Sequence, residues 1–236
     1  MEVEIAVSKI NKYATHESGD TVEVVERPNG GLSVVMADGQ SSGKGAKYIS
    51  TLVVRKVIAL LAEGVRDGAA ARAASDYLFT EKGGKVSATL NILSVDMLTN
   101  TLVITRNNPT EVLLILQDEI HKLDEVSTPI GLYRNTRPVI VELPLQAGLM
   151  AITYTDGLAY AGTRFGHTFD IITEVRAMIE SEGEPSPDFV ADSLLAHALK
   201  LENGRPIDDI SIVALRVNSH VGNNIRRMSV RLPLEP

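Results

Sequence analysis

The chain has 236 residues, 44% of them hydrophobic and 4% aromatic, a formal net charge of −7 and no cysteine. The missing thiols exclude disulfide scaffolds, zinc–thiolate sites and cysteine nucleophiles, and the acidic balance disfavours binding to a nucleic-acid backbone. No apolar run is long enough to span a bilayer and no basic-then-apolar leader is evident, so a cytoplasmic protein that does not associate with membranes is expected.

In chain order, the alternating run Val3 to Val7 predicts a first strand, and Val22 to Glu26 a second. Pro28-Asn29-Gly30-Gly31 is a turn signal that folds the second strand onto Leu32 to Ala37 as a hairpin. Apolar residues at helical spacing (Ile49, Leu52, Val53, Val57, Leu60) predict a helix over Ala46 to Glu63, ended by Gly64. Asp67 to Phe79 reads as a second helix. Ser87 to Val95 and Thr101 to Thr105 read as strands, with Glu111 to Leu116 continuing the same meander. Val139 to Leu143 and Leu149 to Thr155 are further strands, followed by helices over Phe169 to Glu180 and Pro187 to Leu201. Ser186 is placed to cap the latter. Ile210 to Val217 closes the core. Blocks of strands and pairs of helices imply an α+β fold in one domain, residues 1–218. Residues 219–236 form a more basic tail. There Val230, Leu232 and Leu234 alternate as an edge strand would, or as part of a partly ordered, partner-binding segment.

Three acidic positions follow or precede apolar runs: Asp38-Gly39, Asp156-Gly157 and Asp208-Asp209. Asp-Gly alone is a common turn dipeptide. Placed at three strand ends, however, Asp38, Asp156 and Asp208 would point into one crevice. Carboxylates gathered there need a compensating cation. Oxygen-only ligation favours magnesium or manganese over zinc, and such a metal would activate water and neutralise a phosphate oxygen.

The run Val35-Met36-Ala37-Asp38-Gly39-Gln40-Ser41-Ser42-Gly43-Lys44-Gly45-Ala46 resembles the first Asp-Gly motif of the metal-dependent type 2C (PPM) protein phosphatases. Thr155-Asp156-Gly157 resembles their second, and Asp208-Asp209-Ile210-Ser211-Ile212-Val213 their closing motif. Ser18-Gly19-Asp20, Ser87 to Asn91, Arg106-Asn107-Asn108 and Pro129 to Leu132 match the bacterial sporulation and stress-response branch, nearest to RsbX-like stressosome phosphatases. The resemblance covers residues 1–217.

That resemblance implies a four-layer α-β-β-α sandwich of two antiparallel sheets between helices, with two Mn2+ or Mg2+ ions at one end. Asp38 would bridge the ions, the carbonyl of Gly39 would bind one of them with Asp20, and Asp156 and Asp208 would hold the other. Asp209 stands where many relatives have Asn and is assigned a supporting role. The implied reaction is attack of metal-activated water on phosphoserine or phosphothreonine without a phosphoenzyme. The implied substrates are phosphorylated STAS-domain proteins of the stressosome, or an anti-sigma-factor antagonist of the same fold. A monomer is expected.

One departure is Ser41, where the branch often has Gly, which bears on the mobility of the loop into the first helix. No sensor domain is expected before the domain. Among rival readings, Gly39 to Lys44 falls short of a phosphate-binding P-loop, having three residues between its glycines and Gly45 after the lysine. Ser41-Ser42-Gly43-Lys44 matches Ser-x-x-Lys without its companion motifs. The histidines (His16, His121, His167, His197, His220) lack metal spacing. Arg134 and Arg137 flank a loop and could touch phosphate, although solvated surface charge is the simpler role. A catalytically silent phosphatase-like binding module is the non-enzyme alternative, opposed by the complete set of acids.

Overall fold

Alternation within single strands builds the molecule. In β3 (Leu32–Gly39), Val35 and Ala37 face one way and Val34 and Met36 the other, yet both sets are buried. A strand covered on both faces needs a layer on each side. The computed structural model, which describes residues 1–219 and 224–231, supplies them: helices over one face and a second sheet over the other.

One sheet runs in the order β2 (Asp20–Glu26), β3, β4 (Ala88–Asp96), β5 (Thr101–Asn107), β8 (Val139–Pro144). The other runs β1 (Glu2–Ile10), β10 (Ile210–Asn218), β9 (Met150–Tyr154), β6 (Val112–Leu116), β7 (Glu119–Leu123). All strand pairs are antiparallel. Helices α1 (Gly43–Ala62) and α2 (Asp67–Lys82) cover the first sheet, with Val53, Val57, Ala71 and Leu78 packed on Val35, Leu90 and Ile92. Helices α4 (Ile171–Glu182) and α5 (Pro187–Leu201) cover the second through Val175, Val190 and Leu194, and a short α3 (Asp156–Ala159) follows β9. Between the sheets lies a third apolar layer, including Met36, Leu93, Leu102, Leu114 and Leu215. This is the expected α-β-β-α sandwich. Among the described residues no helix is long and apolar enough to cross a membrane.

The hairpin at Pro28–Gly31 and the Ser186 cap, whose hydroxyl accepts from the Phe189 amide at 3.2 Å, form as their residue types dictate. The meander does not continue as expected. β6 leaves the β4–β5 sheet and joins the other one beside β9, while β5 pairs with β8. The cause is the corner at Arg106-Asn107-Asn108. The buried Arg106 guanidinium donates to the carbonyls of Asn108, Thr110 and Glu125, holding the chain as it crosses between sheets. In the tail, residues 224–231 form no strand and Val230 is exposed; Leu232 and Leu234 lie outside the described residues.

One polar contact ties the β2–β3 hairpin to α2. Arg27 donates to Asp67 at 2.6 Å and to the Val65 carbonyl at 3.2 Å, with both ionic side chains largely buried. Asp67→Ala strands the guanidinium without its counter-charge and should cost about 3–5 kcal/mol by urea unfolding. Arg27→Met combined with Asp67→Leu should cost clearly less, because neither charge is left behind. A double variant as unstable as Asp67→Ala would contradict this account.

Candidate metal centre

Strand directions bring one end of each sheet together. Asp20 opens β2 and Asp38 closes β3, directly opposite each other in the pairing register. From the other sheet, Asp156 follows β9, while Asp208 and Asp209 precede β10. The acids expected from sequence therefore meet at one end of the sandwich: Asp38 responds to the charges of Asp20, Asp156 and Asp208, and Asp156 to that of Asp208.

Both Asp-Gly pairs have their glycine for closeness rather than for turning. A Cβ on Gly39 would lie 2.1 Å from the Ala46 carbonyl oxygen, and one on Gly157 would lie 2.1 Å from that of Asp209. Any side chain there would push apart the segments that hold the acids. Asp156-Gly157 is moreover not a turn but the start of α3. The Ser41 departure has a structural counterpart: Ser41 sits at φ 78°, the left-handed region that glycine adopts freely and other residues only under strain.

Asp20 links the sheets. It is fully buried, and its Oδ2 accepts from Ser211 Oγ at 2.6 Å and Thr155 Oγ1 at 3.1 Å, both on the opposite sheet's segments. Its Oδ1 has no partner. Asp209 has both oxygens engaged, Oδ1 by the Lys12 amide at 2.8 Å and Oδ2 by the Gly19 amide at 2.7 Å. Asp208 accepts from the Asp209 amide at 2.9 Å through Oδ1.

The electrostatics follow from this crowding. Burial pushes the Asp38 carboxyl up to about 9, and the neighbouring Asp20, Asp156 and Asp208 add to the effect. Asp20 rises to about 6, chiefly by burial, against the stabilising bonds from Ser211 and Thr155. Asp156 and Asp208 are also raised, again first by burial. The facing pair Asp20 and Asp38 titrates as a unit, raised by burial and mutual repulsion. Among the described residues no three acids or histidines close into a cage that grips an ion unaided. The acids form a looser group. Its chemistry nevertheless suits a hard divalent cation: an all-oxygen donor set, an orphaned buried oxygen on Asp20, and a carboxyl on Asp38 that resists ionisation without a counter-charge.

The other sequence motifs brace this end. Gln40 exchanges bonds with Ser87, its amide donating at 3.0 Å and its Oε1 accepting at 2.9 Å. Asn107 donates to the carbonyls of Thr128 and Arg137, and Thr110 Oγ1 donates to the Tyr154 carbonyl at 3.1 Å, two residues before Asp156. Arg134 stacks over Phe79 and is exposed. His121 and His197 pair with Glu119 and Glu174 on the outer elements, and His220 lies outside the described residues. Sequence reasoning did not single out Thr155 and Ser211 as partners of Asp20. Their signal was hydroxyls interrupting apolar runs. Nor did it single out Lys9 and Lys47, whose ammonium groups each donate to the Asp20 carbonyl at 2.9 Å.

The family described as Stage II sporulation protein E (SpoIIE) matches residues 28–218. The chain belongs to the SpoIIE family. Stage II sporulation protein E of Bacillus subtilis (strain 168) is 20% identical over 201 residues, 85% of this chain and 24% of that protein, so the chain spans about a quarter of this relative. Among solved structures, the PP2C phosphatase domain of Bacillus subtilis SpoIIE with a fragment of its regulatory domain superposes with a TM-score of 0.79 at 19% identity, covering 94% of this chain and 64% of that one. RsbX in complex with magnesium gives 0.70 at 17% identity, covering 92% and 96%. The catalytic domain of the serine/threonine phosphatase PstP in complex with two manganese ions gives 0.68 at 16%, covering 92% and 99%. The fold of this SpoIIE-family chain is thus the PP2C sandwich.

Two outcomes follow for the metal-free protein. A carboxyl raised on folding stabilises the native state at low pH, and that contribution is lost as pH climbs from the ordinary value of 3.8 through about 9. In EDTA, the urea midpoint should therefore fall between pH 6 and pH 9. Asp38→Asn should fall less and lie above the parent at pH 9; a variant at or below the parent there would refute the crowding argument. Separately, Ser41→Gly should raise stability by about 1 kcal/mol through relief of the left-handed strain, read from the same unfolding curves.

Proposed function

We propose that this chain is a metal-dependent phosphatase acting on phosphoserine and phosphothreonine in proteins. The observation that carries the reading is the crowded, oxygen-only acid cluster at one end of a PP2C sandwich, with Asp38 directly opposite Asp20 and its carboxyl pushed up by burial and by the neighbouring acids. Asp20, Asp38, the Gly39 carbonyl, Asp156 and Asp208 would hold Mn2+ or Mg2+, two ions by analogy with the manganese-bound PstP domain. Such ions, when bound, supply Lewis acidity toward a phosphoryl oxygen and acidify a water molecule for attack.

The chain's own groups prepare that place. Ser211 and Thr155 fix one oxygen of Asp20 and leave the other for a ligand. Asp38 would have to be deprotonated to serve as a ligand to such a cation. Asp209 spends both oxygens on the Lys12 and Gly19 amides and so anchors the loop before β2. With no cysteine in the chain, direct hydrolysis fits the residue inventory better than a thiophosphate intermediate.

The same reading takes residues 1–218 as the catalytic domain, with 219–236 as its tail, in a monomeric cytoplasmic protein. Its substrates are phosphorylated STAS-domain proteins of the stressosome, with an anti-sigma-factor antagonist as the related possibility. The sequence resemblance to RsbX-like phosphatases supports that choice, and the likeness of fold to RsbX is consistent with it.

Phosphate release from a phosphorylated STAS-domain protein should require Mn2+ or Mg2+, stop in EDTA, and fall at least about a hundredfold in folded Asp38→Asn. Asp208→Asn should cost more than Asp209→Asn. Metal binding by calorimetry without release from any phosphoprotein would leave a binding module instead.

A further inference from the structure

Asp156 opens α3, a helix of a single turn, and one turn does not hold itself in water. Its front end is fixed by the sheet, where the Thr155 amide donates to the Ser211 carbonyl at 3.0 Å. Within the turn, the Tyr160 amide donates to the Asp156 carbonyl at 2.9 Å. The direction of the Asp156 carboxyl therefore depends on what holds the far end.

That end is Gly162, whose amide donates to Oε1 of Glu202 at 2.5 Å. Gly162 sits at φ 82°, and a Cβ on it would lie 3.0 Å from the Cβ atoms of both His167 and Leu201. Its carbonyl accepts from the amides of Phe165 and His167, which wraps the following loop around it. Glu202 is 1% exposed and stands at the C-terminus of α5, the negative end of the helix dipole. Its Oε2 has no partner among the described residues. Burying a carboxyl there, with one oxygen idle, costs stability and does nothing for α5 itself. What the side chain does hold is Gly162. The backbone of the same residue holds the segment of another acid: the Glu202 carbonyl accepts from the Arg205 amide at 2.9 Å, where the chain leaves α5 toward Asp208.

We propose that Glu202 is a positioning residue of this site: its buried carboxyl clamps the single turn that begins with Asp156 to the end of α5, and so sets Asp156 relative to Asp208. It acts through those two acids and not on the substrate. This rests on the phosphatase reading for its effect on turnover, but not for its effect on cation binding or on the metal-free chain. A clamp and a merely stabilising contact differ in what they change. Loss of the clamp loosens the acids in the folded protein, whereas loss of stability elsewhere in the fold leaves them in place.

The test uses the full chain. In the metal-free parent the Gly162 amide should exchange slowly with deuterium, and in Glu202→Ala at least about tenfold faster. Glu202→Ala should bind Mn2+ about tenfold more weakly by calorimetry and lower kcat toward p-nitrophenyl phosphate by a similar factor, with little change in KM. Glu202→Gln, which keeps an acceptor for the Gly162 amide, should restore most of both. Gly162→Ala, which forces that amide away from an intact Glu202, should reproduce the loss. Asp67→Ala, destabilised in the opposite helical layer, controls for stability alone and should bind Mn2+ as the parent does. A fast-exchanging Gly162 amide in the parent overturns the assignment whether or not the variants fold. So does Mn2+ affinity that is unchanged in Glu202→Ala, or equally weakened in Asp67→Ala. A parent that binds no Mn2+ defeats both the clamp and the phosphatase reading. Mn2+ binding that depends on Glu202, in a chain that hydrolyses no phosphoprotein, would uphold the clamp and defeat the phosphatase reading alone.

Discussion

Carboxylates held together away from water set the terms for the rest of this molecule. Folding brings Asp20, Asp38, Asp156 and Asp208 to one end of a sandwich whose flanking layers are apolar. Each pays a desolvation penalty on ionising; Asp20, Asp156 and Asp208 add to that of Asp38, and Asp208 to that of Asp156. Local donors offset part of this: Ser211 and Thr155 at Asp20, backbone amides at Asp156 and Asp208. They do not offset it all, since Asp20 keeps an unpartnered oxygen and the Asp38 carboxyl is still pushed up to about 9. Such a cluster is stable either protonated or loaded with cations, and only the loaded form has the acids fully ionised at neutral pH.

The division of the acids between sheets couples this balance to the packing of the sandwich. Asp20 and Asp38 lie in strands of one sheet, while Asp156 and Asp208 flank strands β9 and β10 of the other. The apolar layer between the sheets, with Met36, Leu93 and Leu215, sets their separation without making any contact a ligand could use. Close approach is then fixed by absence of side chains, at Gly39 against Ala46 and at Gly157 against Asp209. The bonds from Ser211 and Thr155 to Asp20 cross from sheet to sheet at the point where the acids meet. A change that shifts one sheet against the other therefore acts on the acids as a group.

Much of this was legible in the residues because burial leaves a periodic trace. The hairpin at Pro28–Gly31, helices α1, α2 and α5, and the acids at strand ends follow local rules of turn, period and cap. What was not legible depended on long-range partners. Nothing local in Val112 to Leu116 says that it pairs with β9 rather than β5; the decision lies in Arg106 capturing three carbonyls at the crossing. β7 and α3 were missed because a five-residue strand with only Ile120 and Leu123 apolar and a single helical turn carry almost no periodicity. The glycines of Asp38-Gly39 and Asp156-Gly157 read as turn formers, although their reason is a backbone elsewhere in the chain.

Adjacent aspartates show how one residue type is given two tasks. Along a strand entry, successive side chains leave the backbone on opposite sides, so Asp208 and Asp209 cannot address the same space. Asp209 turns to the buried side and meets the amides of Lys12 and Gly19, one on each oxygen, which fixes the start of β2. Asp208 stays half-exposed with one oxygen on the Asp209 amide, and its carboxyl senses Lys12 and Asp209. An acid whose oxygens each accept an amide bond has its orientation fixed and less accepting capacity left than its neighbour, which accepts one. An Asn at position 209 would keep an acceptor for one amide but confront the other with an NH2 donor. The Asp here can satisfy both amides, at the cost of one more negative charge in a crowded place.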